Sequence, residues 1–334
     1  MTDISQIINA IKSNQVKPIY FLMGDEPYFI DQLANFLENN LLPEVDKGFN
    51  QMVLYGRDVS IDEIISNAKR FPMMAERQLI IVKEAQELSK TIDKLESYAA
   101  NPLESTVLVI CYKYKTIDKR KALAKNIIKN GELFVSDKLY ENKVADWIKR
   151  ELSNKHFHID AKAANMLVEF LGTDLSKINN ELEKLRIILP SGSTITPDVI
   201  EKNIGISKDF NNFELKKAIG EKNVFKANQI VNYFAQNSKS NPMVVTFGIL
   251  NSFFTQLLIY HGLQDKNQQV VAKVLRINPY FVSEYQVAAK NYPMRKVSEC
   301  IALLRDADLK SKGVGANSLA EGDILKELIY KIMN

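Results

Sequence analysis

The segment Phe21–Tyr28 has the order of elements at which many proteins bind nucleotide phosphates: an apolar run, then Gly24, then a predicted helix. Such a phosphate loop needs several glycines whose amides surround the phosphates, a lysine for the terminal phosphates and a serine or threonine for magnesium. In this chain Gly24 is followed by Asp25, Glu26 and Pro27. Carboxylates repel phosphate, and proline has no amide hydrogen to donate. We therefore expect a degenerate phosphate loop that does not bind ATP.

A second candidate site is a connecting segment with three bulky apolar residues, Phe71, Met73 and Met74. Connecting segments normally run over the surface, and apolar groups clustered there indicate a partner-binding surface. Methionine suits such a surface because its side chain is flexible and polarizable. The alternative is that these residues pack under the sheet as part of the core. The residues alone leave both interpretations open.

A third candidate is a basic run with a single opposing acid, Asp118. It could follow the phosphate backbone of a nucleic acid, or it could be the solvated face of a helix. Its members are Lys113, Lys115, Lys119, Arg120 and Lys121, followed by Lys125 and Lys129.

Few other residues have the types and spacing that catalysis or metal binding requires. The two cysteines, Cys111 and Cys300, lie far apart, and neither belongs to a CxxC pair. The three histidines are His156, His158 and His261, with no third ligand near the first two. No Gly-x-Ser-x-Gly elbow is present. We expect no metal site, no cofactor and no catalytic site.

The elements that position these residues change in type along the chain. In the first ~140 residues, apolar runs alternate with helical patterns, which predicts a parallel sheet covered on both faces. The later part is helical, with a turn at Pro190–Ser193 and a possible hinge at Gly205–Asn212. The expected strands are Pro18–Met23, Asn50–Tyr55, Gln78–Val82, Thr106–Ile110 and Leu133–Val135.

Composition is consistent with an ordinary globular protein in the cytoplasm. The chain has 334 residues and a formal net charge of +4, which permits a nucleic-acid partner without requiring one. The N-terminal residues lack the basic and apolar regions of a signal peptide. The apolar segment Val245–Tyr260 contains Asn251 and Gln256, which favours a buried helix over a membrane span.

Several stretches together resemble the delta subunit family of bacterial DNA polymerase III clamp loaders. They occur in family order across nearly the whole chain, and their order is more specific than any one of them. The stretches are Ile19–Asp31, Pro72–Val82, Leu171–Leu185 and, more weakly, Leu303–Gly313.

The resemblance implies an α/β plus all-α fold with three domains. Residues 1–140 would form an AAA+-like parallel α/β domain that binds the beta sliding clamp, and residues 141–208 a small helical lid domain. Residues 209–334 would form a helical collar that joins the ATP-hydrolysing motor (gamma/tau) subunits and the delta-prime subunit. Primer-template DNA would lie within the complex. The polymerase activity would belong to the whole holoenzyme.

The resemblance also gives the methionines a role. Met73 and Met74 stand where the family has a pair of apolar residues that enter a hydrophobic pocket on the clamp. Some members have Leu-Phe or Met-Phe there, so this pair lacks their aromatic ring and its fit to the pocket differs. Phe71 would support them from behind.

Three alternative functions would each need residues that this sequence does not show. An ATP-dependent AAA+ switch would need the Gly-Lys-Thr element and an acidic strand for magnesium, and neither is seen. A delta-prime-like scaffold usually carries cysteine pairs and a Ser-Arg-Cys motif, which this chain lacks. A DNA-binding regulator would need a cationic recognition helix, whereas Leu175–Leu189 mixes Glu181 and Glu183 with Lys184 and Arg186.

Overall fold

The computed structural model describes residues 4–314 and 320–334. The chain divides into two compact units, one ending at Leu139 and the other beginning at Tyr140. Each is described by itself below. The finer division into three domains, with a boundary at residue 208, stays a prediction.

The first unit is built on a sheet of five strands, all parallel, in the order β2-β3-β4-β1-β5. All five lie where apolar runs predict them. Gly24 at the end of β1 pairs with Lys113 of β4 on one side and with Ser136 of β5 on the other. The candidate phosphate loop therefore begins between the ends of these two strands. The strands are β1 Ile19–Gly24, β2 Gln51–Tyr55, β3 Gln78–Lys83, β4 Thr106–Lys113 and β5 Glu132–Ser136.

Helices cover both faces of this sheet, as the alternating pattern predicts. Because side chains alternate along a strand, Tyr20 and Leu22 belong to the core under α1 and α2, while Phe21 and Met23 belong to the core under α4, α5 and α6. The helices are α1 Ile4–Lys12, α2 Pro27–Asn40, α3 Glu44–Asn50, α4 Ile61–Ala68, α5 Glu96–Ala100 and α6 Ala122–Asn130, with 3₁₀ turns at Ala85–Leu88 and Ile92–Leu95.

The second unit is helical apart from a two-stranded parallel ladder. Asp174 and Thr196 cap the N-termini of α9 and α10 through their side-chain oxygens. The elements are α7 Glu141–Ser153, β6 His158–Ile159, α8 Ala161–Leu171, α9 Leu175–Ile188, β7 Thr194–Ile195, α10 Pro197–Ile204, α11 Asn212–Gly220, α12 Val224–Gln236, α13 Met243–Gly262, α14 Gln268–Leu275, α15 Val282–Asn291, α16 Met294–Ser311 and α17 Glu321–Met333.

The long apolar helix α13 is the centre of the second unit's largest core. Within the described residues it alone is long and apolar enough to span a membrane. Phe254 and Leu257 are fully buried, and they share one hydrophobic core with residues of α12, α15, α16 and α17. This is the packing predicted for Val245–Tyr260, and it accounts for the apolar composition without a bilayer.

Candidate functional site

The most exposed apolar cluster of the candidate sites is the segment between α4 and β3. Phe71 is 75% exposed, Met73 is 62% exposed and Met74 is fully exposed. The interpretation that these side chains pack under the sheet is therefore wrong, because solvent reaches all three. We refer to Phe71, Met73 and Met74 as the apolar tip.

The backbone of the apolar tip is held by the side chain of Asn50, the last residue of α3. The Met73 amide donates to Asn50 Oδ1 at 2.7 Å, and Asn50 Nδ2 donates to the Met73 carbonyl at 3.0 Å. Asn50 is only 4% exposed, and its Nδ2 also donates to the Asp46 carbonyl within α3. A single buried amide thus ties an exposed segment to a helix 23 residues earlier in the chain.

The other end of the segment is fastened by Gln78 at the start of β3. Its side-chain amide donates to the Arg70 carbonyl and, at 2.8 Å, to the Thr106 hydroxyl. That hydroxyl in turn donates to the carbonyl of Ala68, the last residue of α4, at 2.9 Å. The segment therefore has exposed apolar side chains on a backbone that is hydrogen-bonded at both ends.

The backbone at Met74 adopts a conformation that non-glycine residues rarely use. Its φ is +53°, in the left-handed region, which costs about 1–2 kcal/mol for an L-residue with a side chain. Such conformations persist only where the surroundings enforce them, and they are frequent at binding sites. The residues that lead into Met74 are restrained, because Asn50 holds the amide and carbonyl of Met73 and Pro72 has a fixed φ.

The turn after β1 is closed by contacts within the chain. Gly24 has φ +127°, and a Cβ there would lie 2.1 Å from the Ser136 carbonyl oxygen, so only glycine fits. Its amide donates to the Lys115 carbonyl at 3.1 Å, and the Glu26 amide donates to the Ser136 carbonyl at 3.2 Å. Two of the amides that a phosphate loop would offer to a ligand are thus already used.

The N-terminus of α2 is capped by the protein's own carboxylate. Glu26 is buried, and its Oε1 accepts a hydrogen bond from the Tyr28 amide at 3.2 Å. Helix N-termini attract anions, which is why phosphate commonly binds there. In this chain the negative charge at that place belongs to Glu26, with Pro27 as the first helical residue and Asp25 exposed beside it. The position at which an anion would bind is thus occupied by the side chain of Glu26.

Three of the seven members of the basic run are paired with neighbouring acids. Lys113 Nζ lies 2.6 Å from Asp31, and Lys121 Nζ lies 2.6 Å from Asp93. The hydrogen bond to Asp93 raises the pKa of Lys121. The helical interpretation holds only for Lys125 and Lys129, because Lys113 ends β4 and the intervening residues precede α6.

Three further members of the run lie in the loop between β4 and α6. Arg120 pairs with Asp118 at 2.8 Å, and Lys115 Nζ donates to the Ser89 hydroxyl at 2.8 Å. Lys119 is exposed, and among residues 4–314 and 320–334 it forms no ion pair. The positive charge available to a phosphate backbone is therefore smaller than the sequence suggests.

Comparison with known proteins extends over both units. A family model described as DNA polymerase III, delta subunit, matches residues 20–135, and one described as DNA polymerase III delta subunit, C-terminal domain, matches residues 209–323. Together the two matches span more than half of the chain.

The chain belongs to the DNA polymerase III delta subunit family.

Individual relatives agree with this assignment. DNA polymerase III subunit delta of Bacillus subtilis (strain 168) is 25% identical over 319 residues, which covers 92% of each chain. Probable DNA polymerase III subunit delta of Aquifex aeolicus (strain VF5) is 21% identical over 265 residues, covering 75% of this chain and 73% of that one.

A solved structure shows the same fold for this delta family member. The Bacillus subtilis DNA clamp loader delta protein matches with a TM-score of 0.57 and 22% identity over 99% of both chains. The predicted fold class is therefore confirmed as an AAA+-like parallel α/β sheet with a C-terminal helical domain.

Both cysteines of this delta family member are buried. Burial raises the pKa of the Cys111 thiol to about 12 and that of Cys300 to about 11, so neither is a reactive thiolate at neutral pH. His156 lies in a turn, and His158 begins β6. In the described parts of the chain, no group of three or more metal-ligating side chains comes together.

Two partly buried carboxylates in the second unit were not singled out from the sequence. Burial raises the pKa of Glu169 to about 7, against opposing attraction from Lys216, and it also raises the pKa of Glu284. One carboxylate oxygen of each has no hydrogen-bond partner. Helical spacing gave no sign of this, because a glutamate in an amphipathic helix is usually solvated.

Proposed function

We propose that this chain acts as the delta subunit of a DNA polymerase III clamp loader and that its apolar tip binds the sliding clamp. The observation that carries this proposal is the full exposure of Met74 at the end of a segment whose backbone is held by Asn50. Family membership supports the same role. An exposed apolar tip on a fixed backbone suits insertion into a pocket, because little ordering is left to be done on binding.

The energetics of this contact are adequate for an interface hot spot. Full burial of a methionine side chain is worth about 1.5–3 kcal/mol. Met74 starts fully exposed and Met73 about two-thirds exposed, so together they can contribute on the order of 3–5 kcal/mol. Hot-spot residues are those whose truncation costs about 2 kcal/mol or more, so the pair reaches that range.

Clamp opening then follows from differential binding. A ligand shifts a conformational equilibrium only by the difference in its affinity for the two states. We infer that the apolar tip binds a clamp conformation whose nearby subunit interface is distorted. The chain does this mechanically, without a catalytic site or a cofactor, and polymerase activity belongs to the holoenzyme.

The remaining parts of the proposal concern partners and location. The C-terminal helical domain joins the motor (gamma/tau) subunits and delta-prime, and ATP acts on the motor subunits. The capped α2 terminus supports this assignment, because Glu26 already occupies the anion position. Primer-template DNA lies within the complex, where Lys119 and Lys115 have no acidic partner among the described residues. The complex works in the cytoplasm.

The proposal is tested by clamp binding of the purified chain in the absence of ATP. Wild-type chain should bind the clamp, and the Met73→Ala, Met74→Ala double variant should bind more than about 100-fold more weakly, because it loses the apolar burial described above. Met294→Ala, which truncates a half-exposed methionine on α16, is the matched control and should bind normally. Wild-type affinity in the double variant would contradict the proposal.

A further inference from the structure

Helix α3 has an inverted distribution of side chains. Val45 is 85% exposed and Phe49 is 78% exposed, whereas the polar Asn50 is buried. A surface helix normally turns its apolar face inward, because exposed apolar area is unfavourable in water. A seven-residue helix that presents its valine and phenylalanine to solvent therefore resembles a recognition surface more than a core element.

The two exposed side chains share one face of this helix. Val45 and Phe49 are four residues apart, which places them one turn from each other. Gly48, which lies between them in sequence, has no side chain, and there is open space where its Cβ would stand. Nearby charge is partly balanced, since Lys47 Nζ lies 2.7 Å from Glu44. The face formed by Val45 and Phe49 is therefore apolar, and Lys47, which lies between them in sequence, is paired with an acid.

This face adjoins the apolar tip. Phe49 directly precedes Asn50, whose side chain bonds both the amide and the carbonyl of Met73. From covalent geometry and those hydrogen bonds, the Cα atoms of Phe49 and Met73 are at most about 11 Å apart. On its other side, α3 shares a cleft of about 400 Å³ with the segment that follows the tip, lined in part by Pro43, Asp46, Ala75 and Arg77.

We infer that Val45 and Phe49 form a second part of the clamp-binding surface and contact the clamp beside the pocket that takes Met73 and Met74. The inference rests on the proposed function. A partner that covers Met73 must pass within one or two side-chain widths of Phe49, because Asn50 fixes the two segments together.

The area of a typical protein interface also favours the clamp as the partner that covers α3. A stable interface buries about 800 Å² on each partner, whereas a large side chain such as phenylalanine supplies only about 150–250 Å². The three side chains of the apolar tip therefore fall short of a complete interface. Adding α3 supplies a second large aromatic and a valine on the adjoining surface. The proposed contact is accordingly an apolar clamp surface next to the pocket.

The first experiment compares clamp affinities of purified full chains without ATP. The Val45→Ala, Phe49→Ala double variant should bind about 10- to 50-fold more weakly than wild type, mainly through faster dissociation. Ile128→Ala, which truncates a half-exposed residue on α6, is the matched control and should bind normally. Val45 and Phe49 are both solvent-exposed, so the thermal unfolding temperature of the double variant should be unchanged within a few degrees.

The outcomes separate this inference from the proposed function. If wild type binds and only the methionine double variant fails, while the α3 variant binds as wild type, the inference is overturned and the proposed function stands. If wild type does not bind the clamp, the proposed function itself fails. If sedimentation shows a wild-type dimer that the α3 variant dissolves, the face belongs to a second copy and the inference is overturned.

A second measurement does not depend on affinity. A Phe49→Cys variant can be labelled with a benzophenone maleimide, because the two natural cysteines are buried and unreactive by comparison. Irradiation with the clamp should produce a cross-linked product, and the product should be lost when Met73→Ala and Met74→Ala are added. A label at Ile128→Cys should give none. Absence of the Phe49 product under conditions in which wild type binds would overturn the inference.

Discussion

Replacing Asn50 with alanine should weaken clamp binding although the substitution removes no exposed apolar atom. Asn50 is buried, and its side chain makes two hydrogen bonds to the Met73 backbone. Without them the apolar tip keeps its chemistry but loses the hydrogen bonds that fix the Met73 backbone next to the left-handed Met74. The free chain then samples other backbone conformations, and binding must order the segment again.

The magnitude follows from that ordering. Fixing the backbone of one residue costs about 1–2 kcal/mol, and the substitution releases at least Met73 and Met74. Pro72 directly precedes Met73 and has a fixed φ, so part of the segment stays ordered in the variant. We therefore expect a loss of about 2–3 kcal/mol in binding free energy, which is about 30- to 150-fold in Kd. Folding stability should fall less, by about 1–2 kcal/mol, because Met73 is largely exposed and water can replace part of the lost hydrogen bonding.

The assay is surface plasmon resonance of the variant against immobilised clamp, with thermal unfolding measured in parallel. Asn39→Ala is the matched control, since its side chain donates to the Asn35 carbonyl one turn earlier on an exposed helix face. It should leave clamp affinity unchanged. If Asn50→Ala binds as wild type while the methionine double variant does not, pre-organisation of the tip is irrelevant and the reasoning is wrong.

Two further predictions concern the phosphate turn and the partly buried carboxylate of Glu169. Isothermal titration of the isolated chain with ATP and magnesium should give no micromolar binding, because Glu26 caps α2; micromolar affinity would contradict this account. Glu169 has its folded pKa raised from 4.5 to about 7, so the folded state holds this proton more tightly and the chain loses up to about 3.4 kcal/mol of stability as pH rises through that interval. In urea unfolding, Glu169→Gln should therefore gain stability over wild type at pH 8 but little at pH 4.5, and equal gains at both values would refute the assignment.

Sequence reasoning was most successful where one physical preference dominated. The strands are apolar on both faces because both faces are covered, and such runs are hard to mistake when turn residues separate them. The same holds at the starts of α9 and α10, where Asp174 and Thr196 have the residue types that favour an N-cap and their side chains accept backbone amides.

The sequence identified the apolar tip as a candidate site but did not show whether its side chains are buried or exposed. A methionine pair in a connecting segment is compatible with either burial or exposure, and only tertiary packing decides between them. The hydrogen bonds of Asn50 were beyond reach, because the partner backbone lies 23 residues away and any asparagine at a helix end could bond locally instead. Val45 and Phe49 carried a misleading signal, since an apolar pair at i, i+4 ordinarily marks a buried helix face.

The phosphate turn shows how an ATP-binding arrangement can become a rigid support. In a nucleotide switch, the loop after the first strand is completed by a ligand, and that ligand biases the conformation of the domain. Here the same position is completed by Glu26, by the close contact of Gly24 with Ser136 and by the ion pair between Asp31 and Lys113. Because Glu26 stands at the anion position, we expect no exchangeable ligand at this turn and therefore no bias on the apolar tip from that site. Under the proposed function, control over when the tip meets the clamp must then come from the ATP-binding subunits through changes in access, and the tip itself should bind the clamp with one affinity whether or not ATP is present.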